Sequence, residues 1–139
     1  MSEPYRTTRM VEFRDTDMAG IMHFASFFGY MESAEHELIR SLGLSVHDYV
    51  EEGAISFPRV SASCDYVSPA LCEQILDIAI RVVRIGNKSV TYEFQFHHEK
   101  RPVANGNITC VCCLVQAGAM PTSIELPADI VEKLSRFVG

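Results

Sequence analysis

"FASFFGYMESAEHELIRSL", residues 24–42, decides the fold of this chain. Its apolar side chains recur at steps of three and four residues, and they are Phe24, Phe27, Phe28, Met31, Ala34, Leu38, Ile39 and Leu42. This period places them in one broad stripe along a helix, which at 1.5 Å per residue is about 28 Å long. Gly43 is suited to end the helix. A helix with one apolar stripe buries that stripe against another layer of the fold. We therefore expect the chain before and after the helix to form the strands of a sheet that covers the stripe.

The flanking segments alternate between apolar and polar residues with a period of two, which predicts strands. These segments are residues 6–14, 55–66, 74–85 and 89–97. Residues 106–116 are instead apolar on nearly both faces, which predicts a central strand covered on both sides. The alternation slips by one residue around Pro58, which predicts a bulge or bend because proline cannot donate to a strand ladder. Residues 84–89, "RIGNKS", carry Gly86 and Asn87 and therefore predict a hairpin turn.

Two shorter helices complete the prediction. Ser45 could cap a helix over "VHDYVEEG", residues 46–53, and Pro127 suits the first turn of a terminal helix. The predicted order is strand, long helix, short helix, four strands and terminal helix. We therefore expect one α+β domain over residues 1–139, in which a mainly antiparallel five-stranded sheet wraps around a long central helix.

Composition narrows the possible partners and environment. A net charge of −6 argues against nucleic acid or an anionic membrane as a partner. The five cysteines form no C-x-x-C pair, so we expect reduced thiols and no metal site. The first ten residues lack the apolar stretch of a signal peptide, and no run approaches the roughly 20 apolar residues that cross a bilayer. These features predict a cytoplasmic protein.

Residues 11–44, "VEFRDTDMAGIMHFASFFGYMESAEHELIRSLGL", resemble the signature of the 4-hydroxybenzoyl-CoA thioesterase family. In that family an aromatic strand ends in Asp-x-Asp, and a glycine and the long helix follow. Residues 64–82, "CDYVSPALCEQILDIAIRV", and residues 86–96, "GNKSVTYEFQF", also resemble family segments. The resemblance implies a hotdog fold and an acyl-CoA thioesterase that is a homodimer or homotetramer with sites between subunits. It also implies that CoA is part of the substrate and that no cofactor is needed.

Thioester hydrolysis needs a group that attacks the carbonyl or activates water, and a group that holds the developing oxyanion. By resemblance, Asp17 is the catalytic carboxylate, either as nucleophile or as general base, and the backbone N–H of Phe24 at the helix start is the oxyanion donor. Gly20 would let the chain turn closely at this point. His23 could orient water, contact the thioester or cap the helix, whereas Asp15 is expected to hold the turn or pair with Arg14.

Charged residues elsewhere extend this hypothesis. Lys88 and Arg84 stand where family members place basic residues for the CoA nucleotide, and Arg59 and Arg101 are weaker candidates. Glu35 falls near the apolar stripe, and we interpret it as an edge residue whose carboxylate reaches solvent. The alternative places Glu35 beside the acyl pocket of a neighbouring subunit.

Two other functions fit the same sequence. A non-catalytic acyl-CoA-binding hotdog domain would leave Asp17 without a chemical role. A hotdog enoyl-CoA hydratase would pair an Asp with a His five residues later across an Asn-Pro. Here Asp17 and His23 are six residues apart with "MAGIM" between them, which argues against the hydratase.

Overall fold

The computed structural model describes residues 2–139, which form two antiparallel sheets and two α-helices. In chain order the elements are β1 (Tyr5–Met10), α1 (Ser26–Ser41), β2 (His47–Val50), β3 (Gly53–Ser56), β4 (Arg59–Tyr66), β5 (Ile75–Ile85), β6 (Ser89–His98), β7 (Arg101–Val111), β8 (Cys113–Val115), β9 (Thr122–Ser123) and α2 (Ala128–Leu134). The larger sheet has the order β1-β5-β6-β7-β4, and the smaller has the order β2-β3-β8-β9. The predicted antiparallel five-stranded sheet is therefore confirmed.

Helix α1 packs against the inner face of the five-stranded sheet. Its 16 residues are fewer than the 19 of the predicted segment, because the chain before Ser26 is held in a loop. The ring of Phe27 meets the ring of Phe96 edge to face, with 5.3 Å between centroids. Met31 fills the space that any side chain at Gly106 would need. Alternating inward residues of β5 and β6 are fully buried beneath the helix, as their period of two requires.

Strand β4 carries the predicted bulge. Its register against β7 shifts between Arg59 and Ser61, directly after Pro58. The shift places Arg59 and Tyr66 opposite the buried residues Cys110 and Ala104. Both side chains consequently lie on the sheet face that packs against α1.

The predicted short helix over residues 46–53 is wrong. Residues 47–50 form β2, which turns through Glu51 and Glu52 into β3. Gly53 has φ of +153°, and a Cβ there would collide with the backbone of Val115. A helix of one or two turns has little stability of its own. The segment is instead stabilised as a strand by its hydrogen bonds to β3.

Two predicted strands end or divide where the chain changes direction. β1 stops at Met10, and residues 13–15 form a short 3₁₀ turn instead of continuing the strand to Arg14. The predicted strand over residues 106–116 is split at Cys112 between β7 of the larger sheet and β8 of the smaller one. The described residues share one hydrophobic core, while the single domain over residues 1–139 stays a prediction because Met1 lies outside them.

The two ends of the larger sheet carry different features. Met10 pairs with Ile75 at the start of β5, so the loop that follows β1 lies at that end. The turn between β5 and β6, which contains Lys88, follows Ile85 at the opposite end. Ten residue steps of a strand separate these ends, a distance of about 33 Å.

Candidate active site

The loop between β1 and α1 is closed by an antiparallel bridge between Thr16 and Met22. The Asp17 N–H donates to the Ile21 carbonyl at 3.0 Å, and the His23 N–H donates to the Asp15 carbonyl at 2.8 Å. Gly20 has φ of +79°, a conformation that side-chain-bearing residues rarely adopt. The chain thus turns at Gly20, and Asp17 sits at the base of this small closed loop. That the turn lets a substrate carbonyl approach stays a prediction.

Asp15 holds the loop in place. Its Oδ2 accepts hydrogen bonds from the Tyr30 hydroxyl at 2.5 Å and from the Glu12 N–H at 3.1 Å. Burial and the contact with Asp15 raise the pKa of Tyr30 above its ordinary value, so the phenol stays protonated and donates. Arg14 pairs with Glu12 at 3.1 Å. The expectation that Asp15 shapes the turn is confirmed, and the alternative pairing with Arg14 is not found.

Asp17 has one committed and one available carboxylate oxygen. Oδ1 accepts from the Ala19 N–H at 2.9 Å, which is an Asx turn, while Oδ2 has no hydrogen-bond partner within residues 2–139. Asp17 lines an open cleft of about 520 Å³. The cleft wall consists mainly of Phe24, Phe27, Tyr66, Ser68 and Ala70.

Phe24 lines the same cleft and retains a free backbone donor. Its N–H meets no acceptor in the part of the chain that the structure describes, whereas its carbonyl accepts from the Tyr66 hydroxyl at 2.9 Å. The residue as a whole is 62% exposed. Asp17 and Phe24, whose Oδ2 and N–H have no hydrogen-bond partner among residues 2–139, thus line one cleft.

His23 lies beside Phe24 just before α1. Its Nδ1 accepts from the Ala25 N–H at 3.1 Å, and its ring stacks on the ring of Phe24 with 4.6 Å between centroids. His23 is absent from the cleft lining. Which of the roles considered for His23 it fills stays a prediction.

Tyr66 is the cleft residue that the sequence analysis missed. Its ring packs edge to face on Phe27 at 5.3 Å between centroids, and its hydroxyl holds the Phe24 carbonyl. It lies 42 positions from Phe24 in the chain. Only the alternation of β4 could have placed it on the inner face.

The two main candidates for nucleotide binding, Lys88 and Arg84, are not near Asp17 in the same chain. Lys88 and Arg84 are exposed at the far end of the sheet. Arg101 is committed to the Ser68 hydroxyl at 2.5 Å and the Pro69 carbonyl at 2.8 Å. Arg59 is committed to Glu35. Within one chain, Lys88 and Arg84 therefore lie far from Asp17, whereas Arg101 contacts Ser68 and Pro69 in the wall of the Asp17 cleft.

Glu35 is not an edge residue that reaches solvent, and that interpretation is wrong. It is 2% exposed, and both carboxylate oxygens accept from the guanidinium of Arg59. Burial raises the pKa of Glu35, and the adjacent Arg59 opposes that rise. The bulge of β4 turns Arg59 inward to meet a carboxylate 24 positions away.

No group of three potential metal ligands occurs among His, Cys, Asp and Glu of residues 2–139. None of the helices in this range is long and apolar enough to cross a membrane. The cytoplasmic location stays a prediction.

Comparison with known proteins identifies relatives of this fold and cleft. A 1,4-dihydroxy-2-naphthoyl-CoA hydrolase from Synechococcus elongatus is 28% identical over 109 residues, which cover 78% of this chain and 80% of the relative. The structure of a 1,4-dihydroxy-2-naphthoyl-CoA thioesterase from Synechocystis superposes with a TM-score of 0.85 at 21% identity, covering 94% of this chain and 95% of that one. A mutant 4-hydroxybenzoyl CoA thioesterase complexed with 4-hydroxybenzoyl CoA superposes with a TM-score of 0.85 at 22% identity, covering 96% and 99%.

These structural neighbours define the class as hotdog proteins. The model of the Thioesterase-like superfamily matches residues 11–134, so the chain belongs to that family. The family predicted from residues 11–44 is confirmed.

Proposed function

We propose that the protein hydrolyses the thioester of an acyl- or aroyl-CoA to the free acid and CoA. The observation that carries the proposal is a cleft lined by both Asp17, whose Oδ2 has no hydrogen-bond partner within residues 2–139, and Phe24, whose N–H has none in that range. Membership in the Thioesterase-like superfamily supports this chemistry. The names of the relatives, whose substrates are hydroxylated aroyl-CoA thioesters, favour an aromatic acyl group.

In the proposed reaction, Asp17 Oδ2 either attacks the carbonyl carbon or removes a proton from a water molecule that attacks it. The carbonyl oxygen becomes an oxyanion and accepts a hydrogen bond from the Phe24 N–H. As the carbonyl re-forms, the C–S bond breaks and the electron pair leaves with the CoA thiolate. Direct attack leaves an acyl-aspartyl anhydride that water then hydrolyses, whereas the general-base route gives the acid at once.

The active assembly is proposed to be at least a dimer that pairs through the edge strand β4. β4 exposes an uncharged stretch, "VSASC" at residues 60–64, in which Val60 is 62% exposed. The other edge strand, β1, carries Arg6 and Arg9, which disfavour pairing with a second chain. Two-fold symmetry makes paired β4 strands antiparallel, so Arg59 of one copy comes beside Tyr66 of the other.

This pairing would also bring Lys88 of one copy to the end of the sheet where the other copy has Asp17, although the two residues are far apart within one chain. Arg59 pairs with Cys110, which pairs with Val90, so β4 begins at the Lys88 end of the sheet. It ends at Tyr66, beside the Asp17 cleft. Lys88 and Arg84 of one copy would therefore be carried to the end of the sheet where the other copy presents Asp17, and no cofactor is invoked.

Asp17→Asn tests the chemistry. Asparagine can still accept from the Ala19 N–H, so the loop is kept while the nucleophile or base is lost. We expect kcat to fall about 100-fold or more on the best substrate in a thiol-release screen of aliphatic, benzoyl and naphthoyl CoA thioesters. Asp48→Asn, at an exposed position on β2, is the control and should leave kcat unchanged.

Near wild-type turnover by Asp17→Asn would refute the assigned role. Tight binding of acyl-CoA without thiol release by the wild type would instead support the non-catalytic alternative. Hydration of an enoyl-CoA without thiol release would support the hydratase.

A further inference from the structure

The loop between β4 and β5, residues 67–74, forms one wall of the Asp17 cleft, and we name it the wall loop. Residues 67–70 line the cleft. Ala70 is buried, and its carbonyl accepts a hydrogen bond from the Met22 N–H at 2.8 Å. Met22 is one end of the β-bridge that closes the loop around Asp17. A displacement of the wall loop would therefore be transmitted to the loop that carries Asp17.

The last residues of the wall loop contact the chain just after β1, where the segment that carries Asp17 begins. The Gln74 carbonyl accepts from the Val11 N–H at 2.8 Å, and the Val11 carbonyl accepts from the Glu73 N–H at 2.6 Å. Glu73 has φ of +72°, a conformation that residues with a Cβ rarely adopt. Such a conformation persists only where neighbouring contacts hold it. The wall loop thus requires contacts that fix it in place.

Arg101, the first residue of β7, contacts the wall loop near both of its ends. Its Nη1 donates to the Ser68 hydroxyl at 2.5 Å and to the Pro69 carbonyl at 2.8 Å, and its Nη2 donates to Gln74 Oε1 at 3.4 Å. Gln74 Oε1 also accepts from the Leu71 N–H at 2.9 Å. A planar guanidinium donates in several fixed directions at once, which a lysine ammonium does not reproduce. Arg101 therefore bridges the start and the end of the wall loop.

The partners of the Arg101 guanidinium are all neutral. It forms no ion pair with a carboxylate among residues 2–139. The backbone of β7 also supports the wall loop, since the Val103 carbonyl accepts from the Val67 N–H at 2.8 Å. That contact holds the start of the loop, and the guanidinium adds the contact to Gln74 at its end. The hydrogen-bonding geometry of Arg101, and not an ion pair, thus joins β7 to the whole loop.

We infer that Arg101 is a positioning residue of the active site, because it clamps the wall loop and the wall loop holds the Asp17 segment in place relative to the Phe24 N–H. This inference rests on the proposed thioesterase function. Arg101 does not touch the reacting atoms and acts only through the hydrogen bonds that join the wall loop to the Asp17 segment. Since a displacement of about 1 Å can lower a rate about 100-fold, loss of the clamp should affect kcat more than KM.

Arg101→Met and Arg101→Lys test the clamp. Methionine removes all three hydrogen bonds, whereas lysine keeps the charge and loses the planar fork. We expect kcat to fall about tenfold in Arg101→Met and about threefold in Arg101→Lys, with KM changed less than about twofold in both. Arg40→Met, at an exposed position on α1, is the matched control and should leave kcat unchanged.

Amide hydrogen exchange measured by NMR reports the clamp without any substrate. The Met22 N–H, which donates to Ala70, should exchange at least about tenfold faster in Arg101→Met than in the wild type. The Phe94 N–H, in the middle of β6, reports global unfolding and should exchange at the wild-type rate. Neither amide should change in Arg40→Met.

Equal acceleration of exchange at Met22 and Phe94 would show that Arg101 supports the fold as a whole, which would overturn the inference. Wild-type kcat in Arg101→Met would overturn it as well. A fall in kcat without faster exchange at Met22 would assign the effect to the charge of Arg101 and would refute the clamp. If the wild type cleaved no thioester, the proposed function would fail, and the exchange rate of Met22 would still decide whether Arg101 holds the wall loop.

Discussion

Arg59 is the residue on which the buried charge of the protein depends, because Glu35 has no other cationic partner within residues 2–139. Arg59→Met keeps much of the side-chain volume but leaves a carboxylate buried and unpaired. We expect the free energy of unfolding, measured with urea, to fall by about 3–5 kcal/mol.

Arg40→Met is the control for Arg59→Met, since Arg40 is exposed on α1 and forms no ion pair among the described residues. The double variant Glu35→Gln with Arg59→Met should recover part of the loss, because the unpaired charge is then absent. If the Arg59→Met and Arg40→Met variants had equal free energies of unfolding, the buried Glu35–Arg59 pair would not contribute to stability as predicted.

Site residues that lie close together in one sequence motif could be predicted, whereas contacts between residues distant in the sequence could not. Asp17, Gly20 and Phe24 lie within one short motif, and the structure brings Asp17 and Phe24 to one cleft. Glu35 and Arg59 meet only because a bulge turns one strand residue inward. An acidic residue near an apolar stripe looks the same whether it is paired or exposed, and this ambiguity explains the wrong interpretation of Glu35.

At the scale of the element, the loop before α1 depends on one backbone conformation. A Cβ added at Gly20 would meet nothing within 4 Å, so Gly20→Ala costs only the conformational strain of φ at +79°. We expect a loss of about 1–2 kcal/mol in unfolding free energy. The matched control is Gly29→Ala, which also has open space but lies inside α1.

Gly29→Ala should instead stabilise the protein by about 0.5–1 kcal/mol, because alanine favours the helix. Opposite signs for the two Gly→Ala variants in thermal or urea unfolding would support the assignment. A stabilising effect of Gly20→Ala would show that the loop does not require a left-handed residue.

Elements with a long, regular apolar period could be predicted, as α1, β5 and β6 show. The segment over residues 46–53 could not, because its four-residue strand is too short for a period and pairs with a strand that follows it at once. The division of the predicted strand over residues 106–116 at Cys112, between two sheets, could not be predicted either. Apolar residues occur on both faces there, and the change from one sheet to the other leaves no mark in that pattern.

At the scale of the whole molecule, the separation of Asp17 from Lys88 and Arg84 predicts sites that two copies share. Chains carrying Asp17→Asn are coexpressed with chains carrying Arg84→Ala and Lys88→Ala. A mixed dimer then contains one intact site and one doubly defective site. With random pairing, activity at substrate concentrations below KM should reach about one quarter of the wild-type value.

The controls for this mixing experiment are the two parental proteins. An activity no greater than the mean of the parents would show that each site belongs to one chain. Sedimentation should give at least twice the chain mass of 15.6 kDa at micromolar concentration, and a species of only the chain mass would contradict shared sites.

The sheet order could be anticipated in part from the hairpins, but the second sheet could not. Its strands are two to four residues long, and the pairing that joins its two halves, between β3 and β8, connects distant parts of the chain. The whole fold was predicted from the resemblance to a known family. The hydrophobic periodicity alone predicted only individual helices and strands.

The bridge between Thr16 and Met22 has a thermodynamic consequence for ligand binding. If a loop became ordered only on substrate binding, the conformational entropy it lost would weaken the binding affinity. Here both ends of the loop around Asp17 are already hydrogen bonded, so that entropy is lost during folding. Association can therefore draw on the full enthalpy of its contacts, as expected for a preorganised site.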